Sequence, residues 1–283
     1  MPLTDPSVIQ QQLASIRWRA LRGKHFGQHF LTCRDALTRI VEALEISAAD
    51  TVVEVGPGLG VLTVELAKRA KRVIAVEKDA AIIPVLRQNL REFPNVEIIH
   101  SDALSIDPKN YSITQLPNYL LTGNLPYAIT LPVIERFILG CPLAPSRAVF
   151  LIQKEVGQRL TDPPGGSARS AVTVLLEEAS KSELIASVPR QAFFPIPEVD
   201  GAIIRIVPTH DSQSEIRNPQ FRNFIFAVFR HRRKQIGGTL PRILGAPSAT
   251  VLGKLSFFGI NPHARPQELA LSQWRSLFEH FML

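Results

Sequence analysis

Cysteine is nearly absent: the chain has 283 residues and two cysteines, Cys33 and Cys141. Two are too few for a disulfide framework, and their spacing offers no zinc ligand set, so no metal is expected. A reducing cytoplasm is the compartment that fits. No apolar run approaches the roughly eighteen residues that cross a bilayer, which argues against a membrane protein. The opening Met1-Pro-Leu-Thr-Asp-Pro-Ser lacks the charged-then-apolar order of a secretory signal. The arginines between Gln10 and Arg22 leave an organellar transit role open. Internal repeats and low-complexity tracts are missing too.

The most informative absence is that of acid. From Ile216 to Gln267 there is no Asp or Glu, while nine cations fall in the same stretch, among them Arg230, Arg232, Arg233 and Lys234. Residues 1–34 carry Arg17, Arg19, Arg22, Lys24 and Arg34 against Asp5 alone. The whole chain is only +7, so the middle is mildly acidic. Basic ends on an acidic body form an electrostatic footprint for a polyphosphate, most simply RNA or DNA. Solvated helix faces account for many charge runs, but not for fifty residues without an acid.

What is present reads as an ordinary core, with 45% hydrophobic residues. Apolar runs alternate with helical patterns between Thr51 and about Leu139. Strands are expected at Thr51–Val55, Arg72–Glu77, Val96–His100, Tyr119–Thr122 and Arg147–Gln153, with helices at Val61–Arg69, Ala80–Glu92 and Leu131–Leu139. That alternation predicts a doubly wound, mostly parallel α/β sheet. A helix near Ser170–Ser180 and strands at Leu184–Val188 and Gly201–Val207 follow. Pro208–Pro219 reads as a linker. Beyond it Phe221, Phe224, Ile225, Val228 and Phe229, then Trp274, Leu277, Phe278 and Phe281, repeat at helical spacing. A small all-helical C-terminal domain is expected there.

Gly56-Pro-Gly-Leu-Gly60 follows a strand and opens a helix, where glycines let a ligand approach the backbone. Its G-x-G-x-G spacing is one residue shorter than the dinucleotide fingerprint. Glu77 ends the second strand twenty-one residues after Gly56, placed to accept ribose hydroxyls. Asp102 follows the third strand, where an acid suits an adenine amine. Neither acid separates a nicotinamide cofactor from S-adenosylmethionine. Asn124-Leu-Pro-Tyr127 at the fourth strand does: its amide and a neighbouring main-chain carbonyl can each accept a hydrogen from a base's exocyclic amine, while Tyr127 lies flat on the base. Hydride transfer has no use for such a turn. Taken singly, each of the acids and the Asn124–Tyr127 turn is more often a cap, a turn or a surface residue; their convergence at the carboxyl ends of strands is the signal.

Six segments together carry a family resemblance: Lys24-His-Phe-Gly-Gln-His-Phe-Leu31, Glu54–Gly60, Asn124–Tyr127, Gln153-Lys-Glu-Val156, Phe194-Pro-Ile-Pro-Glu-Val-Asp200 and Phe229-Arg-His-Arg-Arg-Lys234. From about Gly23 to the C-terminus the chain resembles the ribosomal RNA adenine dimethyltransferases, most of all the small-subunit branch. The resemblance implies a Rossmann-like S-adenosylmethionine-dependent methyltransferase domain at 23–209 and a helical RNA-binding domain at 217–283, after a basic extension at 1–22. It implies cofactor contacts from His29, Leu31, Gly56, Glu77, Asp102 and Asn124, and catalytic roles for Asn124 and Tyr127. Position 29 is often Asn in relatives; His also donates a hydrogen bond, so the role is kept. RNA phosphates would be gripped by Arg230, Arg232, Arg233 and Lys234. The implied reaction is dimethylation of two adjacent adenosines near the 3′ end of small-subunit rRNA, late in small-subunit assembly; a pre-assembled 30S-type particle is the expected partner, naked RNA stays open as substrate, and a monomer is the default. The alternatives are a large-subunit rRNA dimethyltransferase, a non-catalytic binding protein on the same scaffold, and a nicotinamide oxidoreductase.

Overall fold

Uninterrupted Val/Ile/Leu runs form strands buried on both faces, which is the environment of a parallel sheet covered by helices. The computed structural model describes residues 2–16, 28–106, 119–140, 144–209 and 219–282. Arg17, Arg19, Arg22, Lys24, Cys141, Arg217, the start of the Lys24–Leu31 motif and most of the expected linker lie outside the described residues. Two compact units result, one of Met1–Gly157 with Glu183–Pro208, the other of Gln158–Ser182 with Thr209–Leu283.

The strands are β1 (Phe30–Leu31), β2 (Thr51–Val55), β3 (Arg72–Glu77), β4 (Val96–His100), β5 (Leu120–Asn124), β6 (Arg147–Gln153), β7 (Ser180–Val188), β8 (Phe193–Phe194) and β9 (Gly201–Pro208). Seven of them make one sheet in the order β4-β3-β2-β5-β6-β9-β7. From β4 through β6 neighbours are parallel, and β9 joins β6 antiparallel. Val53 is level with Ile74 on one side and Leu121 on the other, so the central strands share one apolar layer. The chain winds outward from β2 to β4, then returns to β5 on the other side of β2. The crevice of such a sheet opens at that reversal, beyond the carboxyl ends of β2 and β5. Asn124 ends β5 and Gly56 follows β2.

A short antiparallel ribbon completes the rim. Phe30 pairs with Phe194 and Leu31 with Phe193, and Thr32 N–H donates to Ala192 O at 2.8 Å. Two motifs more than 160 positions apart in the chain are thereby joined.

Several elements differ from the sequence reading. The expected helix Ala80–Glu92 is Ile83–Asn89, because Asp79 Oδ1 accepts from Ala81 N and holds the preceding residues in a turn. Leu131–Leu139 is a helix at Thr130–Ile134 that widens into π turns over Glu135–Leu139. A helix at Pro6–Ser15 was not expected at all. Asp5 caps it, Pro6 occupies its first turn, and Ile9 and Leu13 bury one face beside Leu59, Leu86 and Leu90. Gln12 and Asn89 exchange amide hydrogen bonds at 2.8 and 3.1 Å, and Asn89 also donates to Leu59 O in the glycine loop.

In the second unit the helix Ala171–Ala179 groups with Pro219–Phe229, Ile236–Leu244, Ser248–Phe257 and Leu271–Met282. Segment 158–182, placed by sequence with the catalytic domain, therefore packs with the C-terminal helices. Phe221, Phe224, Trp274 and Phe278 form its aromatic core, with Phe221 edge-on to Phe278 at 5.2 Å. Arg169 is fully buried, pairs with Glu177 and donates to Asp162 O at 3.0 Å.

Candidate active site

The loop after β2 turns sharply because Gly56, Gly58 and Gly60 take φ of +72°, +56° and +87°. A side chain is strained at such values. At Gly58 a β-carbon would also sit 3.0 Å from the Phe30 ring. Gly60 opens the helix Val61–Ala67. Glu77, at the end of β3, reaches back under this loop. Its Oε2 accepts from Gly58 N at 3.0 Å and its Oε1 from Asp79 N at 2.8 Å. Burial pushes the Glu77 carboxyl above its ordinary value, against the pull of those backbone donors.

Asp102 stands beyond β4. Lys78 Nζ donates to its Oδ2 at 2.7 Å and Leu104 N to its Oδ1 at 2.9 Å. The Lys78 bond holds the Asp102 carboxyl below the usual range. Asp102 is thus an ionised acid that already has a cation at one oxygen. Lys78 had no role in the sequence reading, although it directly follows Glu77.

Asn124 ends β5, half-buried. Its Nδ2 donates to His29 O at 2.7 Å, which ties the β5 rim to the segment entering β1. No described residue donates to Asn124 Oδ1. His29 Nδ1 lies 2.7 Å from Pro195 O and so carries a proton toward it, leaving Nε2 as the other ring nitrogen. The imidazole and the Tyr127 ring stack at 6.0 Å and 26°. Burial, then the nearby Glu198 charge, raises the Tyr127 hydroxyl pKa, so it stays protonated. Gly123 lets β5 approach β2: a β-carbon there would fall 2.4 Å from Val55 O.

His29, Leu31, Gly56, Glu77, Asp102, Asn124 and Tyr127 all line one cavity of about 490 Å³ in the first unit. That volume lies in the range of small-molecule and cofactor sites. Glu54, buried in β2 and given no role of its own by the sequence reading, lines it as well. Its signal was available, since a charge inside a Val run calls for a reason. Arg230, Arg232, Arg233 and Lys234 belong to the second unit. Arg230, Arg233 and Lys234 are exposed, whereas Arg232 donates to Ser167 O within its own unit. Among the described residues no group of His, Cys, Asp and Glu is placed to hold a metal, and no helix is long and apolar enough to cross a membrane.

A glycine loop over a ribose-side carboxylate serves many nucleotide enzymes, but an amide acceptor followed by a planar ring at the next strand end suits an amine that must be held for alkylation. Sheet order and cleft together define an S-adenosylmethionine-dependent, Rossmann-like methyltransferase. The ribosomal RNA adenine dimethylase family matches residues 21–282, and the chain belongs to that family as an rRNA adenine methyltransferase. The "Ribosomal RNA small subunit methyltransferase A" of Dehalococcoides mccartyi (strain ATCC BAA-2100) is 37% identical over 96% of this chain and 93% of its own. That of Clostridium botulinum (strain Langeland) is 33% identical over 90% and 92%. Among solved structures, the 23S rRNA methyltransferase ErmE is 28% identical with a TM-score of 0.72, covering 90% of this chain and all of its own. A dimethyladenosine transferase from Plasmodium falciparum, 24% identical over 89% and 97%, shares the fold at a TM-score of 0.75.

Proposed function

We propose that the protein dimethylates the exocyclic amines of two adjacent adenosines near the 3′ end of small-subunit rRNA, acting as a cytoplasmic monomer on a pre-assembled 30S-type particle. The observation that carries this reading is the state of Asn124. Because His29 O holds its Nδ2, the amide presents Oδ1 as an acceptor in a cleft built for a nucleoside.

The cleft fits the methyl donor. Three left-handed glycines bare the loop's backbone, Glu77 can take ribose hydroxyls, and a buried Glu54 oxygen without a hydrogen-bond partner suits a cationic ligand. His29, Leu31, Gly56, Glu77, Asp102 and Asn124 would hold it. When bound, the donor supplies a sulfonium methyl that needs no further activation. The protein's task is to prepare the amine, whose lone pair is delocalised into the base. Asn124 Oδ1 and a backbone carbonyl of the same turn accept its two hydrogens and favour a pyramidal nitrogen. Pro126 O is taken by Ile129 N at 3.1 Å, which makes Leu125 O the candidate. Tyr127 carries the flipped base on its face. At the second methylation one amine hydrogen remains, so one of the two acceptors goes unmatched.

RNA binding is assigned to the helical unit, with Arg230, Arg233 and Lys234 on phosphates. The branch is set by the small-subunit relatives, more similar in sequence than ErmE. The test is mass-spectrometric mapping of methylated adenosines after incubation with under-methylated small subunits, naked small-subunit rRNA and large-subunit rRNA. Paired dimethyladenosines near the 3′ end of the particle's RNA are expected. Modification confined to large-subunit rRNA, or no methyl transfer, would overturn the proposal.

A further inference from the structure

Glu54 meets no reacting atom in the reaction described above, yet its position is costly. It lies within β2 between Val53 and Val55, 1% exposed, and its Oε2 makes no hydrogen bond among the described residues. Replacing such an acid by an apolar residue of similar size usually leaves a protein as stable or more so, so its presence calls for a function. The neighbouring strands bring uncharged Ala75 and Thr122 level with it. Two polar groups do face it. Thr63, from the helix after the glycine loop, is itself fully buried, and its hydroxyl approaches the carboxyl closely enough to favour the ionised form without completing a well-formed hydrogen bond. Glu77, from β3, is the other buried acid of the cleft. Elsewhere on the cavity wall Lys78 and Asp102 are paired, and His29 and Tyr127 stand at the β5 rim. Burial, and to a lesser degree the Glu77 charge, pushes the Glu54 carboxyl up to about 8, while Thr63 acts in the opposite direction.

We infer that Glu54, a buried carboxyl whose Oε2 lacks a hydrogen-bond partner on the cavity wall, supplies the counter-charge for the cationic methyl donor and so selects a charged donor over an uncharged nucleoside. Without a cation, ionised Glu54 and Glu77 would share a water-poor site and repel. A sulfonium or ammonium in the cleft removes that obstacle. The balance is simple: the carboxyl O–H bond breaks, its proton passes to the buffer, the carboxylate stays, and the donor keeps its charges. Donor binding thereby releases a proton and tightens as pH rises toward 8. Glu54 acts here as a positioning and selectivity residue and touches no transferred atom.

The inference rests on the cleft's being the donor site, and one calorimetric experiment separates the two claims. Wild-type protein is titrated at pH 6.5 with S-adenosylmethionine and with 5′-methylthioadenosine, which keeps adenine, ribose and a thioether but carries no charge. Each titration is run in phosphate and in imidazole, whose ionisation heats differ. About half to one proton should be released per S-adenosylmethionine bound and none per methylthioadenosine. Glu54→Gln should abolish the release and weaken S-adenosylmethionine by about tenfold, leaving methylthioadenosine within about twofold. Should that variant fail to fold, the wild-type comparison of the two ligands decides alone. Equal release by both ligands, no release by S-adenosylmethionine, or release that persists in Glu54→Gln overturns the inference. If S-adenosylmethionine gives no binding heat at all, the donor-site reading falls with it.

Discussion

Asn124 has two jobs at opposite ends of one amide, and substitutions can separate them. Its Nδ2 anchors His29 O at 2.7 Å; its Oδ1 is the acceptor proposed for the target amine. Asn124→Ala removes both. Asn124→Asp keeps acceptor oxygens but turns the anchor into a repulsive contact between a carboxylate and a carbonyl. A lost hydrogen bond costs about 1 kcal/mol, and a partly buried carbonyl left without its donor adds roughly 1–2 kcal/mol. If that anchor sets the position of His29 and Leu31 on the donor, affinity should fall about 30- to 150-fold in either variant. Transfer depends on the acceptor. Removing one preorganised hydrogen-bonding group at a reacting centre costs about 10²–10³ in rate, so Asn124→Ala should lose roughly that much in single-turnover transfer at saturating donor. Asn124→Asp should fall between it and wild type. The assays are radiolabelled-methyl transfer and calorimetric donor binding. Wild-type transfer by Asn124→Ala would remove the amide from the mechanism; wild-type donor affinity in both variants would remove the anchor.

Three further outcomes follow from other residues. Neutralising Arg230, Arg233 and Lys234 together should lower the salt slope of RNA binding by about two to three units. Arg232→Ala should leave that slope unchanged and lower the melting temperature, because its guanidinium serves Ser167 O; the reverse pattern would reassign Arg232 to phosphate. Gly123→Ala places a β-carbon 2.4 Å from Val55 O, so β5 must shift from β2. A loss of roughly 1–3 kcal/mol in urea unfolding is expected, with reduced transfer because Asn124 is the next residue; wild-type values for both would show the close approach to be dispensable. Glu54 binds its proton more tightly folded than unfolded, since its carboxyl rises from 4.5 to about 8. Between those values the native state holds the extra proton, so stability falls as pH rises through the window and the loss is complete above 8. Relative to Glu54→Gln, wild type should lose on the order of 4 kcal/mol between pH 5 and 8.5; a flat difference would show that Glu54 is ionised throughout.

The rim of this cleft was legible because each of its residues ends a strand. Gly56, Glu77, Asp102 and Asn124 follow apolar runs whose alternation with helices sets their order, and a doubly wound sheet brings such ends to one edge. The ribbon that seats His29 was harder to read, for β1 and β8 are two residues each and pair across more than 160 positions. No local pattern encodes that pairing. The Pro6–Ser15 helix was missed for a different reason. Its buried face is only Ile9 and Leu13, although the Asp5-Pro6 start was a readable cap. Charge counting also merges unlike residues: Arg232 and Arg233 are neighbours in one basic run, yet one is bound to a backbone carbonyl and the other is exposed. Glu54 shows the same limit from the other side. A strand pattern places it in the core, and only its surroundings reveal an acid with no hydrogen-bond partner at the edge of a nucleoside cavity. Where local pattern and residue chemistry disagree in this way, the disagreement is itself the pointer to function, because burying a polar group without its partners is costly and calls for a ligand that can match it.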